Sequence, residues 1–300
     1  MSNSLITVRG RDFLSLADLD REELVGLLDL AQRIKDGEWR EQPLRGRHVA
    51  MVFQKPSMRT RVSFEVGIER LGGHSVTLGE GDVQIGERET VADAARVLER
   101  YVDLVVARLR RHADLVEMAD RSRIPVINAL TELEHPCQAL ADLMTLRERF
   151  GSLDRFRLAY VGDGNNVVTS LSQAQALLGF GFTVITPPGY EPSAQVRAEA
   201  PGMVVSNDPA AVAGADAVYT DVWTSMGFEA ERSERKRAFA EYRVDSGLLR
   251  LAPSAIFLHC LPAHRGEEVS DDVIDGPLSA VFDQAENRLH AQMALLALIA

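Results

Sequence analysis

The sequence predicts an α/β protein of two domains, each a parallel sheet flanked by helices, and three observations predict it. Short apolar runs of strand length alternate with helical periods along the chain. Several of those runs end in turns bearing Gly, Pro or Asn that lead straight into a helix. The 300 residues, 46% hydrophobic and 26% charged, suffice for two such units with ample core.

The first helix spans 20–35, where Leu24, Leu27, Leu28, Ala31 and Ile34 share a face and Asp18 or Asp20 stands as a cap. Residues 44–53 form the first strand, and its run Val49-Ala50-Met51-Val52-Phe53 closes on a Pro-containing turn. A helix then opens at Ser57, an N-cap residue, with Val62, Val66, Ile68 and Leu71 as apolar positions and Gly72-Gly73 as the stop. Such a start turns backbone N–H groups and the positive end of the dipole outward, and Arg59 and Arg61 add cationic forks. Those are the donors a phosphate dianion needs. In isolation, Ser-x-Arg-Thr-Arg reads better as a capped surface helix with two solvated arginines.

A second strand covers 74–78, and 79–89 is a polar, Gly-rich loop that is either solvated or a mobile flap over a site. Residues 90–101 form a helix with Val91, Ala94, Ala95 and Leu98 inward. The strand at 103–109 carries Arg108 near its C-terminal end, the end at which open parallel sheets bind ligands. A helix at 112–121 and a strand at 125–129 continue the alternation. His135-Pro136-Cys137-Gln138 opens a helix that runs to Phe150, with Leu140, Leu143, Met144 and Leu146 as its apolar set and Pro in the first turn. Gly151-Ser152 reads as a hinge. Beyond it come strands at 157–161, 182–186, 203–206, 217–221 and 256–260, a last strand at 280–283, and a terminal helix at 285–300. The predicted domains are 1–150, with 285–300 packing back on it, and 151–284.

The net charge of -11 argues against nucleic-acid binding, which needs a basic face, yet local arginines still allow a small anionic substrate. The two cysteines, Cys137 and Cys260, make neither a disulfide framework nor a metal-binding spacing. Residues 1–5 show no signal pattern, and the apolar run 293–300 is too short to span a bilayer. These features predict a cytoplasmic protein without membrane contact.

Three further motifs follow strands. Gly162-Asp163-Gly164 raises a dinucleotide reading, but Val167 stands where the third glycine belongs, and no acidic residue ends the next strand at Thr186. The glycines then make a tight turn presenting the amides of Asn165 and Asn166. Asp221 suits a substrate ammonium with Ser225 nearby, and equally suits capping the charged 229–240 segment. His259 and Cys260 invite a thiolate or metal reading. Neighbours on a strand point to opposite faces, however, and further ligands at matching spacing are absent, which leaves Cys260 a polar contact role.

Taken together, Phe53–Arg61, Gln84, Ala107-Arg108, His135–Gln138, Gly162–Asn166, Asp221–Gly227, His259–Gly266 and Arg288 resemble the aspartate/ornithine carbamoyltransferase family, in its order and over nearly the whole chain. The resemblance implies one α/β domain for carbamoyl phosphate and one for the amino acid, joined by two helices. It further implies a homotrimer, or a multiple of trimers, with sites between subunits. By that resemblance Ser57, Met58, Arg59 and Thr60 hold the phosphate, and Gln84 reaches in from a neighbouring subunit. Arg108, His135, Pro136, Cys137 and Gln138 surround the carbamoyl group, with Cys260, Leu261 and Arg288 completing its pocket. Asn166, Asp221, Ser225 and Met226 match positions that bind L-ornithine, and Arg108, His135, Asp221 and Cys260 are the implied catalytic residues.

The implied reaction carries the carbamoyl group to the δ-amine of ornithine, giving citrulline and phosphate within arginine biosynthesis, with no cofactor and no metal. Putrescine, N-acetylornithine or aspartate as acceptor is the alternative, while a nicotinamide-dependent dehydrogenase and a non-catalytic binding protein are remoter ones. One departure stands out: Met58 replaces the family's usual Thr, keeping a backbone donor but losing a hydroxyl, a change of about 0.5–1.5 kcal/mol. Phe228 is a second, at a position where a polar residue is common.

Overall fold

The computed structural model describes residues 8–79, 81, 85, 88–224 and 231–300. Gln84, Ser225, Met226 and Phe228, and with them most of the 79–89 loop, lie outside the described residues. The chain divides into two compact units, Met1–Met144 with Asn287–Ala300, and Thr145–Glu286.

The first unit opens with α1 (Arg21–Lys35), begun by a capping box in which Asp20 accepts from the Glu23 N–H at 2.8 Å and Glu23 accepts from the Asp20 N–H at 3.0 Å. There follow β1 (His48–Phe53), α2 (Met58–Arg70), β2 (His74–Leu78), α3 (Val91–Leu98), β3 (Leu104–Arg108), α4 (His112–Arg121), β4 (Val126–Leu130) and α5 (Pro136–Phe150). The strands are parallel in the order β2-β1-β3-β4. Ala50, Val52, Val105, Ala107 and Val126 bury one face with Val91, Ala94 and Ala95 of α3 and Leu115 and Met118 of α4. Their alternates Val49, Met51, Leu104, Val106 and Ile127 are buried too, so both faces are covered, as parallel sheets require.

Two expectations change here. The inward face of α2 is Thr60, Phe64, Gly67 and Ile68, whereas Val62 is exposed and Val66 half-buried. Ile68 and Leu71 are buried as expected, and the face they share is completed by Phe64 and Thr60 rather than by Val62 and Val66. In α5 the expected single apolar stripe is instead burial on all sides, with every residue from Glu134 to Leu146 inside.

The second unit contains β5 (Arg157–Val161), α6 (Asn166–Leu178), β6 (Gly181–Ile185), α7 (Ala194–Glu199), β7 (Met203–Ser206), β8 (Ala217–Thr220), α8 (Arg232–Ala238), α9 (Ser246–Leu249), β9 (Ile256–His259) and α10 (Asp271–Ile274). The last element, α11 (Val281–Ile299), begins in this unit and ends in the first. Its five strands are parallel in the order β7-β6-β5-β8-β9. A core of Ala159, Val161, Val218, Trp223, Phe239, Phe257 and Val281 lies against the sheet.

The strand expected at 280–283 is absent. The Ala280 carbonyl already accepts the Gln284 N–H at 2.9 Å, so the run Ala-Val-Phe-Asp is the first turn of α11. Short apolar runs fit either state by periodicity alone. No helix among the described residues is long and apolar enough to cross a membrane.

Candidate active site

Each sheet has one point at which the chain leaves a strand to one side and later returns on the other. In the first unit it lies between β1 and β3, and in the second between β5 and β8. Ligands of open parallel sheets bind beyond the carboxyl ends of such strand pairs. Several of the residues singled out from the sequence lie at these two places.

At the β1/β3 point the register pairs Phe53 with Arg108. The turn that follows is held to β3 by the Gln54 N–H on the Arg108 carbonyl at 2.9 Å and by the Arg110 N–H on Gln54 Oε1 at 2.9 Å. Ser57 caps α2, its hydroxyl accepting the Thr60 N–H at 3.3 Å. Arg61 does not join the site. It lies on the solvent side of α2, paired with Glu65 at 2.9 Å, because residues two apart on a helix diverge. Met58 is 72% exposed.

His135, Arg108 and Arg288 are all but inaccessible, at 6%, 7% and 3% exposure. Burial, and then the guanidiniums of Arg288, Arg108 and Arg59, hold the His135 pKa well below its ordinary 6.5. His135 is therefore a neutral imidazole among three cations at pH 7. Arg288 is aimed by neutral acceptors: Thr60 Oγ1 at 3.1 Å from Nη2, Gln138 Oε1 at 2.7 Å from Nη1 and Gln292 Oε1 at 3.1 Å from Nε.

Gln138 and Cys137 have partners of their own within the unit. Gln138 is already engaged, its carbonyl on Arg288 and its amide on Asp142 Oδ1 at 2.8 Å, so it buttresses Arg288. Cys137 turns into the core, its thiol on the Asn128 carbonyl at 3.3 Å and its pKa pushed up to about 12 by burial. Its side chain is inert and only its backbone can meet a ligand. Pro136, buried, opens α5.

An apolar cavity of about 360 Å³ in the same unit, lined by Ala50, Val76, Leu78, Ile85, Ala94 and Val97 among others, shares none of these side chains. Its apolar wall offers little to an anion.

At the β5/β8 point the register pairs Thr220 with His259, which sets Asp221 beside Cys260 one residue beyond. The Cys260 thiol reaches Asp221 Oδ1 at 2.9 Å. Asp221 Oδ2 accepts from Asn165 Nδ2 at 2.9 Å, and Asn165 Oδ1 caps α6 through the Val167 N–H at 3.0 Å. Asp221 is thus no cap for the 229–240 segment, since α8 begins at Arg232 after Glu231. Asn166 is the first residue of α6, half-buried beside Asn165.

The glycines of this turn have steric reasons. Gly162 has φ 151°, and a Cβ on Gly164 would lie 2.4 Å from the Pro192 nitrogen. A positive φ accounts for the first and close backbone approach for the second. Leu261 is the one non-glycine among the described residues in the left-handed region, at φ 56°. Such strain concentrates at ligand sites.

The spacing argument against a metal missed one contact. Ligand atoms of Asp221, His259 and Cys260 lie within 4.8 Å of one another. Both ring nitrogens of His259 are committed, however, Nδ1 accepting the Leu261 N–H at 2.8 Å and Nε2 facing Glu268 Oε1 at 3.3 Å. The imidazole has no lone pair left for an ion.

The family model described as aspartate/ornithine carbamoyltransferase, carbamoyl-P binding domain, matches residues 11–148, and its Asp/Orn binding domain counterpart matches 154–299. The chain belongs to the aspartate/ornithine carbamoyltransferase family. An ornithine carbamoyltransferase of Symbiobacterium thermophilum is 53% identical over 98% of this chain and 99% of its own. An anabolic ornithine carbamoyltransferase of Pyrococcus furiosus is 49% identical over 98% of each. The solved structure of ornithine carbamoyltransferase from that organism superposes with a TM-score of 0.92 at 48% identity, covering 98% of both chains.

Within this carbamoyltransferase frame, several side chains were missed by sequence reasoning. Asn165 was seen as a backbone amide, yet its side chain anchors Asp221. Arg235 joins Asp163 at 2.7 Å, the Trp223 carbonyl at 3.1 Å and Glu231 at 3.0 Å, bracing the Gly162 turn. Burial raises the Asp163 pKa, and Arg235 opposes that shift. The Asn165 contact had a signal in its N-cap position. Arg235 had none, standing in a run of ordinary surface charges.

Proposed function

We propose that this protein transfers the carbamoyl group of carbamoyl phosphate to the δ-amine of L-ornithine, giving L-citrulline and phosphate in arginine biosynthesis. One observation carries the residue-level reading: Arg288, buried like Arg108 and His135, donates to Thr60 Oγ1 at 3.1 Å in the first turn of a capped helix. A dianion with a polarisable carbonyl fits that arrangement. The ammonium-bearing amino acid fits the opposite chemistry at the β5/β8 point, where a carboxylate is held by neutral donors.

In this reading Ser57, Met58, Arg59 and Thr60 take the phosphate, chiefly through backbone donors and the Arg59 guanidinium. Arg108, His135 and Arg288 polarise the carbamoyl oxygen and stabilise the tetrahedral oxyanion, each donor contributing roughly 3–4 kcal/mol. A neutral His135 serves there as a hydrogen-bonding group rather than a fourth cation. Gln138 and the Pro136-Cys137 backbone frame the carbamoyl end, and Leu261 shapes its pocket. Asn166, with Ser225 and Met226, orients the α-amino-acid end of ornithine. Asp221 and Cys260 aim the incoming δ-amine, whose lone pair adds to the carbamoyl carbon to give the tetrahedral oxyanion. The oxyanion then collapses as the C–O bond to phosphate breaks, and the departing phosphate carries off the proton that the new ureido nitrogen loses. The attacking amine must first lose its ammonium proton, so kcat/KM for ornithine rises toward alkaline pH. A flat profile between pH 6 and 9 would contradict this.

The family supports a homotrimer, or a multiple of trimers, in the cytoplasm, with Gln84 entering a neighbouring subunit's site. Light scattering should give a multiple of three times the 33.0 kDa chain mass. The reaction is tested by supplying carbamoyl phosphate with ornithine, putrescine, N-acetylornithine or aspartate and assaying each ureido product. Turnover with ornithine alone is expected. Turnover with another amine would keep the phosphate half and discard the Asp221 half, and no turnover would overturn the proposal.

A further inference from the structure

The Arg288 guanidinium has three neutral acceptors, and one of them has no place in the transfer chemistry. Gln292, one helical turn further along α11, is fully buried, and its Oε1 accepts from Arg288 Nε at 3.1 Å. The same oxygen lies 2.9 Å from the Ser63 hydroxyl, which also reaches the Thr60 carbonyl at 3.2 Å. Thr60 Oγ1 in turn accepts from Arg288 Nη2. Ser63 has one proton, and the shorter contact directs it to Gln292, so Arg288 is tied to α2 twice, through Gln292 to Ser63 and directly to Thr60.

The other end of the amide shows why this is more than packing. Gln292 Nε2 is buried with no hydrogen-bond partner, an arrangement that carries a desolvation cost. A methionine of similar length would avoid that cost but strand the buried Arg288 Nε–H, so what the amide contributes here is its carbonyl, a neutral acceptor for Arg288. A carboxylate in its place would hold the fork but offset the charge that a phosphate dianion needs.

We infer that Gln292 is a positioning residue, which fixes the plane of the Arg288 guanidinium and ties it, through Ser63, to the first turn of the phosphate-binding helix. The inference rests on Arg288 meeting carbamoyl phosphate. It adds a residue at position 292 whose effect belongs to one substrate only.

The test is a double-mutant cycle read in steady-state kinetics, with folding followed by circular dichroism. Gln292→Met should raise the KM for carbamoyl phosphate about tenfold and leave the KM for ornithine within twofold. In an Arg288→Lys background, where the Nε donor is gone, the same substitution should change the carbamoyl phosphate KM less than twofold. Equal effects in both backgrounds, or no change in either, would overturn the inference. Should Gln292→Met fail to fold, Gln292→Glu keeps the shape and the acceptor but adds charge. It should then raise the carbamoyl phosphate KM alone, and an unchanged KM would overturn the inference equally. Wild-type citrulline formation separates the two readings. Its absence sinks the proposed function, while its presence with an inert Gln292 sinks only this inference.

Discussion

The two switch points share a topology and invert its chemistry. At the β1/β3 point the charges are fixed cations around an imidazole that burial and those cations keep neutral. At the β5/β8 point Asp163 is paired with Arg235, and among the described residues the carboxylate there without a cationic partner is Asp221, steadied by an amide at 2.9 Å and a thiol at 2.9 Å. A parallel sheet supplies the place, and the residues just past its strand ends decide the ligand. If the division holds, substitutions at one point should touch one substrate and spare the other.

The largest effect is expected at Arg108. Arg108→Met should lower kcat by roughly 10²–10³-fold through the lost oxyanion donor, with a loss of stability in denaturant unfolding that is small beside it. A loss of stability as large as the loss of activity would instead make Arg108 structural. Next comes Asp221→Asn, which should raise the ornithine KM about thirtyfold, or about 2 kcal/mol for a hydrogen bond to a charged group. Its carbamoyl phosphate KM should stay put, and a rise in both would blur the comparison.

Gly164→Ala tests the scaffold beneath the second point. A Cβ 2.4 Å from the Pro192 nitrogen forces the backbone apart, and denaturant unfolding should show a loss of about 1–3 kcal/mol. A neutral outcome would mean that the turn yields freely.

The smallest effect lies in the pH dependence of stability. His135 folds neutral with its pKa well below 6.5, so below pH 6.5 the unfolded chain takes up the proton first. Its contribution is intact above 6.5 and is lost as pH falls from there, at up to about 1.4 kcal/mol per pH unit. His135→Gln should flatten that limb between pH 6.5 and 5. An identical limb in wild type and variant would place the acid sensitivity elsewhere.

Much of the fold was legible because local and global preferences agree. The β2 span at 74–78, the α4 span at 112–121 and the β5 span at 157–161 follow from strand-length apolar runs, helical periods and caps. Where the reading failed, a long-range partner had overridden the pattern. Thr60, not Val62, shares the inward face with Phe64 and Ile68, and its polar hydroxyl is accommodated there by Arg288, far along the chain. Residues 280–283 look like a strand until Gln284 and the rest of α11 extend the helix back to Val281. In the candidate site the motifs were visible but their side-chain assignments were only partly so. His-Pro-Cys-Gln reads as one binding unit, yet its Cys faces the core and its Gln faces Arg288. The Asp221–Cys260 contact depends on strand register, which no local pattern encodes. Gln292 and Asn165 act through partners, and a sequence does not name partners.

The most direct test of the division is the dissociation constant of carbamoyl phosphate, measured without ornithine for wild type, Arg59→Met and Asp221→Asn. The account predicts at least tenfold weaker binding for Arg59→Met and a value within twofold of wild type for Asp221→Asn. Equal weakening in both variants, or none in Arg59→Met, would contradict it.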